Sequence, residues 1–168
     1  VFPHLILNQK ESFVFKGRNR RPPKDAVNAM LSFVYTLISN DVTAALETVG
    51  LDPYVGFMHA LRPGRPSLAL DIMEELRAYL GDRLVLSLIN RKQITGNQFL
   101  QQGDESIIMT DDARRTIISA WQARKKEQIQ HPFLNEKVSI GLLPHIQAMM
   151  LARYLRNDLD DYPVFLIQ

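Results

Sequence analysis

Between Asp25 and Gly50 the apolar residues Val27, Met30, Leu31, Val34, Leu37, Ile38, Val42, Ala45, Leu46 and Val49 recur at intervals of three and four. That spacing places them on one stripe of an α-helix, and a stripe so long must be buried against other elements. A first helix is therefore predicted over this stretch. It should end at Gly50, which suits the left-handed closing conformation, with Pro53 three residues further on.

The rest of the chain reads largely in the same period. The segment 51–66 holds three prolines and two glycines, too many for the interior of an element, so turns should hold it. Ser67 offers an N-cap, and behind it Ile72, Leu76, Leu80, Leu84 and Leu88 repeat every four residues, widened by Leu68, Met73 and Val85. Gly81 and Asp82 either bend that helix or divide it in two. A loop with a small hairpin at Ile107 and Ile108 is expected between Gln93 and Thr110. Thr110, Asp111 and Asp112 open a third helix that runs through Ile117, Ile118, Trp121 and Lys125. Val138, Ile140, Leu142, Leu143, Ile146, Met149, Met150 and Tyr154 mark a last helix with Pro144 straining its early part, followed by an acidic turn over 157–162. Residues 5–21 read as a connecting arm ending at Pro22 and Pro23, after a strand-like run from Phe2 to Leu7. The fold class expected is an all-α helical bundle with one short β excursion.

Composition narrows the chemistry. The 168 residues suit one domain, and no window approaches the ~18 uninterrupted apolar residues of a membrane span. No membrane partner is expected. The start from Val1 to Ile6 has neither the basic residues nor the apolar length of a signal peptide, which favours a cytoplasmic location. The missing initial methionine and the early strand-like run suggest a chain that begins mid-protein. Without cysteine there are no disulfides or thiolate metal sites, so a metal would be held by His, Asp, Glu or water.

A net charge of +2 gives no general polyanion-binding field, so distribution matters more. Lys16, Arg18, Arg20, Arg21 and Lys24 form one basic group, Arg62 and Arg65 a second, and Arg124, Lys125 and Lys126 a third. The third reads as solvated surface. The first two flank the constellation with chemical promise.

That constellation is His59 in the turn-rich loop with Asp71 and Glu74 at the start of the second helix. Carboxylates three residues apart share a helix face, and the loop can fold the imidazole over them. Oxygen donors with one imidazole suit Mn²⁺ or Mg²⁺ better than zinc. Arg62 and Arg65 lie between the ligands and could hold phosphate oxygens. The plainer reading stays open, because acids in a first helical turn complement the dipole and a lone loop histidine is commonly a packed residue. His4, His131 and His145 have no acidic partner at useful spacing and read as structural, and Glu47 as solvated.

The segment PPKDAVNAMLSFVYTLISNDVTAALETVGLDPYVGFMH, followed by RPGRPSLALDIMEELR and LVLSLINR, resembles the CRISPR-associated spacer-acquisition endonuclease and integrase family. The arm KGRNRRPP and the later HPFLNEKVSIGLLPHIQAMMLARYLR resemble the version found with type I-C systems. The resemblance covers nearly all of the chain. It implies that residues 1–23 are the connecting arm from an N-terminal β-rich dimerisation domain, and that 24–168 form the helical metal-binding catalytic domain. It implies Mn²⁺ or Mg²⁺ held by His59 and Glu74, with Asp71 beside them as an orienting or water-holding carboxylate. The family's remaining ligand, a glutamate in an upstream Glu-Gly segment, has no counterpart between Val1 and Arg21, and Glu11 is not its match.

The activity implied is metal-dependent attack of a 3′-hydroxyl on a phosphodiester, inserting spacer DNA into the repeat array. His59, Asp71 and Glu74 would be the catalytic residues, and Arg18, Arg20, Arg21, Arg62 and Arg65 the DNA contacts. Implied partners are double-stranded DNA, a second copy in a homodimer, and a small ferredoxin-like adaptation subunit. Lacking one ligand, this chain by itself is expected to bind metal poorly and to be nearly inert. The alternative is a non-catalytic helical scaffold that binds DNA or partner subunits.

Overall fold

Helix α1 spans Ala26–Thr48. Val27, Met30, Val34, Ile38, Val42 and Leu46 along its stripe are 0% exposed, and full burial of such a side chain is worth about 1.5–3 kcal/mol. Asp25 starts the helix by accepting the amide of Asn28 at 2.7 Å. Gly50 closes it at φ +81°, with the Leu51 amide donating to the Leu46 carbonyl at 2.9 Å. Among the described residues α1 is the one helix with the length and hydropathy to cross a membrane, and its buried stripe accounts for that composition.

The computed structural model describes residues 2–19, 21–103 and 106–166, so Arg20, expected as a DNA contact, lies outside the described residues. The chain divides into two compact units, Val1–Thr36 with Tyr79–Gln122, and Leu37–Ala78 with Ala123–Gln168.

In the first unit the strand-like run at Phe2–Leu7 is instead a 3₁₀ turn, Phe2–Leu5. The Asn90 side chain takes the place of a β partner: its Oδ1 accepts the Leu7 amide at 2.8 Å and its Nδ2 donates to the Leu5 carbonyl at 2.9 Å. The arm beyond is tied to the start of α1 by Asn28, 0% exposed, whose Nδ2 donates to the Gly17 carbonyl at 2.8 Å. The expected hairpin is present as antiparallel β1 (Phe99–Gln102) and β2 (Ser106–Met109), with Phe99 opposite Met109. Gly81 and Asp82 neither end the second helical run nor divide it cleanly. Residues Arg77–Asp82 form a π-helical turn, and the Tyr35 hydroxyl donates to Asp82 Oδ1 at 2.5 Å. Helix α3 (Arg83–Asn90) follows it.

In the second unit α2 (Ser67–Leu76) packs against α5 (Leu143–Leu155). Ser67 is not the N-cap. It is the first helical residue, behind Pro66, and its hydroxyl donates to the Ala60 carbonyl at 3.2 Å. Helix α4 (Asp111–Lys126), whose start lies in the first unit, begins as expected, the Thr110 hydroxyl accepting the Ala113 amide at 3.3 Å. A second hairpin, β3 (Gln128–Gln130) with β4 (Lys137–Ser139), lies between the third and last predicted helices, and Val138, expected to open the last helix, belongs to its second strand. Three-residue strands are too short to show alternation. Pro144 falls in the first turn of α5, where a missing amide costs nothing. The protein is thus mostly helical with two small antiparallel ladders.

Candidate functional site

The loop leading into α2 is organised around one buried carboxylate. Asp71, 4% exposed, accepts the Phe57 and Met58 amides on Oδ2 at 2.7 and 3.0 Å. Its Oδ1 accepts the His59 amide at 2.9 Å and His59 Nδ1 at 2.6 Å. Burial acts to raise the Asp71 carboxyl, but the hydrogen bonds from the Met58 amide, the His59 ring and the Phe57 and His59 amides outweigh it and hold the group below its ordinary value. The carboxylate is therefore ionised and saturated. It fixes the loop backbone and keeps the imidazole proton on Nδ1, so Nε2 is the ring nitrogen left to act as a donor. The first amides of α2 are satisfied locally: the Pro53 carbonyl accepts those of Leu68 and Ala69 at 2.9 and 3.3 Å.

Glu74, one turn on, has Oε1 paired with Arg77 Nη1 at 2.9 Å. Asp71 and Glu74 both line a cavity of ≈ 610 Å³ whose other walls include Phe57, Met58, Tyr154, Leu155 and Val164; His59 is not among its lining residues. The structure thus joins His59 to Asp71 and turns one oxygen of Glu74 to an arginine. Among the described residues no group of three or more His, Asp or Glu side chains is arranged to hold a metal ion. His59 and Glu74 supply an imidazole nitrogen and a carboxylate oxygen, a donor pair that fits Mn²⁺ or Mg²⁺ as part of a ligand set.

The basic candidates differ sharply. Arg62 is exposed and Arg65 partly so, and neither side chain has a hydrogen-bond or ion-pair partner among the described residues. Arg21 is exposed and likewise uncommitted. Arg18 is bound into the fold: Nη1 donates to Asn28 Oδ1 at 2.6 Å, Nη2 to the Ser32 hydroxyl at 3.1 Å, and the guanidinium lies 5.2 Å from the Tyr35 ring centre. In the third group, Lys125 pairs with Asp41 at 3.0 Å and Arg124 with Glu127 at 3.4 Å.

Sequence reasoning missed a second polar cluster, built on Glu75, the next residue of α2. Glu75 accepts the Tyr162 hydroxyl at 2.8 Å, the Gln147 side-chain amide at 2.9 Å and the Phe165 backbone amide at 3.0 Å. Burial, and then the Glu75 charge, push the Tyr162 phenol well above its usual value. Beside it His131 is 1% exposed, and its Nδ1 accepts the Phe133 and Leu134 amides at 3.3 and 3.2 Å. His131 Nε2 and Gln147 Oε1 are both buried without a hydrogen-bond partner among the described residues. No sequence spacing could show this, because the four residues come from α2, a hairpin turn, α5 and the C-terminal tail.

Comparison with known proteins gives the family. The family described as CRISPR associated protein Cas1 matches residues 1–123. The CRISPR-associated endonuclease Cas1 1 of Chlorobaculum tepidum is 58% identical over 98% of this chain and 48% of its own length. A solved Cas1 protein from Thermotoga maritima matches with a TM-score of 0.81 and 30% identity, over 92% of this chain and 47% of that one. A chain in a solved Cas6-RT-Cas1 and Cas2 complex matches 99% of this chain with a TM-score of 0.83 and 27% identity, over 18% of its own length. The chain spans about half the length of the first curated relatives it matches. A family match over residues 1–123, together with 58% identity to a relative over 98% of this chain, shows that the chain belongs to the Cas1 family.

Proposed function

We propose that His59, Asp71 and Glu74 form part of the centre of a divalent-metal-dependent DNA endonuclease and integrase that inserts spacer DNA into a CRISPR repeat array. The observation that carries the reading is the 2.6 Å contact between His59 Nδ1 and Asp71, because it leaves Nε2 as the ring's remaining lone pair, on an imidazole held by a carboxylate one helical turn before a second acid, Glu74. It is supported by relatives that bear the name endonuclease.

In this reading His59 and Glu74 are ligands to Mn²⁺ or Mg²⁺, and Asp71 is a positioning residue that orients the imidazole. When bound, the divalent ion would polarise a phosphodiester and stabilise the charge that develops on it. Arg62 and Arg65, uncommitted on the loop that carries His59, hold phosphate oxygens of double-stranded DNA in register. A further carboxylate has to come from outside these residues, so the 168-residue chain alone binds Mn²⁺ weakly and joins DNA slowly if at all. The complete protein acts in the cytoplasm as a homodimer with a small ferredoxin-like adaptation subunit. The Cas2-containing complex in which a related chain was solved is consistent with such a partner.

The test is His59→Ala in the full-length protein. Loss of integration with an unchanged melting profile is the expected result. Integration that survives in a folded variant would overturn the enzymatic reading and leave the non-catalytic scaffold.

A further inference from the structure

Three helices close with the same pair of backbone hydrogen bonds. At the end of α1 the Gly50 amide donates to the Glu47 carbonyl at 3.1 Å and the Leu51 amide to Leu46 at 2.9 Å. At the end of α3 the Lys92 amide donates to Ile89 at 3.1 Å and the Gln93 amide to Leu88 at 3.0 Å. At the end of α5 the Asn157 amide donates to Tyr154 at 3.0 Å and the Asp158 amide to Arg153 at 2.8 Å. The motif needs one left-handed residue, and φ is +81° at Gly50, +55° at Lys92 and +61° at Asn157. Glycine and asparagine enter that region readily, whereas the β-carbon of a lysine crowds the carbonyl oxygen there. Position 92 thus keeps a cation against a local cost.

The carbonyls at the end of α3 do not need that charge. Besides the Lys92 amide, Ile89 accepts Gln9 Nε2 at 2.9 Å, and Asn90 accepts Asn8 Nδ2 at 2.7 Å. Gln9 Nε2 also reaches the Ile94 carbonyl at 2.9 Å, so the next residue, Lys10, is held beside the turn that carries Arg91 and Lys92. All three cations are exposed, and none of their side chains has a hydrogen-bond or ion-pair partner among the described residues. Glu11, the acid next to Lys10, lines a separate pocket with Ser12, Asp25 and Gly96. Two remote segments of the first unit therefore present one basic surface that no run of charge in the sequence marks.

We propose that Lys10, Arg91 and Lys92 form a further phosphate-binding surface, which holds the backbone of double-stranded DNA in addition to the contact at Arg62 and Arg65. This rests on the DNA-binding reading above. Ammonium and guanidinium groups bind phosphate oxygens by charge-assisted hydrogen bonds, and such contacts position a duplex without reading its sequence. The turn fixes where two of the charges stand, and the Gln9 side chain fixes the approach of the third. The left-handed lysine is then a stability cost carried for binding.

The experiment measures the affinity of the full-length protein for a mixed-sequence DNA duplex as salt is raised, together with its melting temperature. Lys10→Gln with Arg91→Gln and Lys92→Gly should lower the salt slope by about 2–3, at about 0.9 for each phosphate released. Lys92→Gly alone should lower it by about 0.9 while the melting temperature holds or rises, because glycine relieves the left-handed turn. An unchanged slope in the folded triple variant overturns the proposal. So does a Lys92→Gly variant that melts lower and keeps its slope, since the lysine would then serve the end of α3 through the helix dipole. Arg115→Gln controls for net charge: this exposed cation lies 3.8 Å from Asp112 on α4, and its loss should leave the slope unchanged. A fall there as large as that of Lys92→Gly also overturns the proposal. If the affinity of the parent protein does not fall with salt at all, the DNA-binding reading itself fails. A steep parent slope that the triple variant keeps leaves that reading standing and removes only this surface.

Discussion

A β-carbon on Gly56 would stand 2.6 Å from Oδ2 of Asp71, and 2.7 and 2.8 Å from the Ser67 carbonyl carbon and the Leu68 amide nitrogen. The loop can bring its amides onto the carboxylate only because residue 56 has no side chain. Gly56→Ala should therefore destabilise the protein by about 1–3 kcal/mol through displaced backbone and weakened Asp71 hydrogen bonds. Urea denaturation measures it, and a midpoint equal to that of the parent would show that the loop has room.

Asp71→Asn tests the carboxylate as an acceptor. An amide nitrogen in place of one oxygen would face two N–H donors, leaving buried groups unsatisfied at a cost of about 1–3 kcal/mol. If it faces His59, the imidazole proton should move from Nδ1 to Nε2, which ¹⁵N shifts of the ring report directly. Because the Asp71 carboxyl lies below its ordinary 3.8, its contribution to stability is complete above pH ~4 and is lost as pH falls through the lowered value. A variant as stable as the parent whose ring also keeps its proton on Nδ1 would refute the assigned role.

His131 predicts a second pH dependence, of opposite origin. Burial lowers its pKa below 6.5, and its Nδ1 can accept two amides only while it is unprotonated. The unfolded chain binds the proton that the folded one refuses. Stability is then complete above pH ~6.5 and falls below it, by up to ~1.4 kcal/mol per pH unit until the folded state also protonates. His131→Gln should flatten that dependence between about pH 6.5 and pH 5. An unchanged slope would assign the effect to other groups.

Charge reversal separates the arginines. Arg62→Glu with Arg65→Glu should weaken DNA binding by the full-length protein and reduce the salt slope by about 0.9 for each phosphate no longer neutralised, without lowering the melting temperature. Arg18→Ala should do the reverse: it removes hydrogen bonds to Asn28 and Ser32 and the stacking on Tyr35, so thermal stability falls while the salt slope is largely kept. A salt slope lowered as much by Arg18→Ala as by the double reversal would return Arg18 to the interface.

The helices were legible because burial writes itself in period. Val27 to Leu46, Ile72 to Leu88 and Ile117 with Trp121 are core residues in the structure as their spacing implied. The same reasoning failed where only a few residues are involved. Phe2–Leu7 has strand composition, but Asn90 satisfies its backbone from a distant part of the chain, and β3 and β4 are too short to alternate. Ser67 has the right residue type for a cap, but the Pro53 carbonyl already serves the first amides of α2. In the candidate site, the chain order of His59, Asp71 and Glu74 was readable, whereas the identity of the group that holds the loop, and the hydrogen bonds that tie Glu75 to the tail, were not.

The sequence by itself determined which segments are helical, which residues fill the core and which family the motifs resemble, because each is a property of order and period along the chain. Tertiary structure alone decided that Asp71 serves the loop and the imidazole, that Arg18 serves α1, and that Glu75 serves the tail. A polar side chain takes its role from the donors and acceptors that folding brings within ~3 Å, and those partners are commonly remote in the chain.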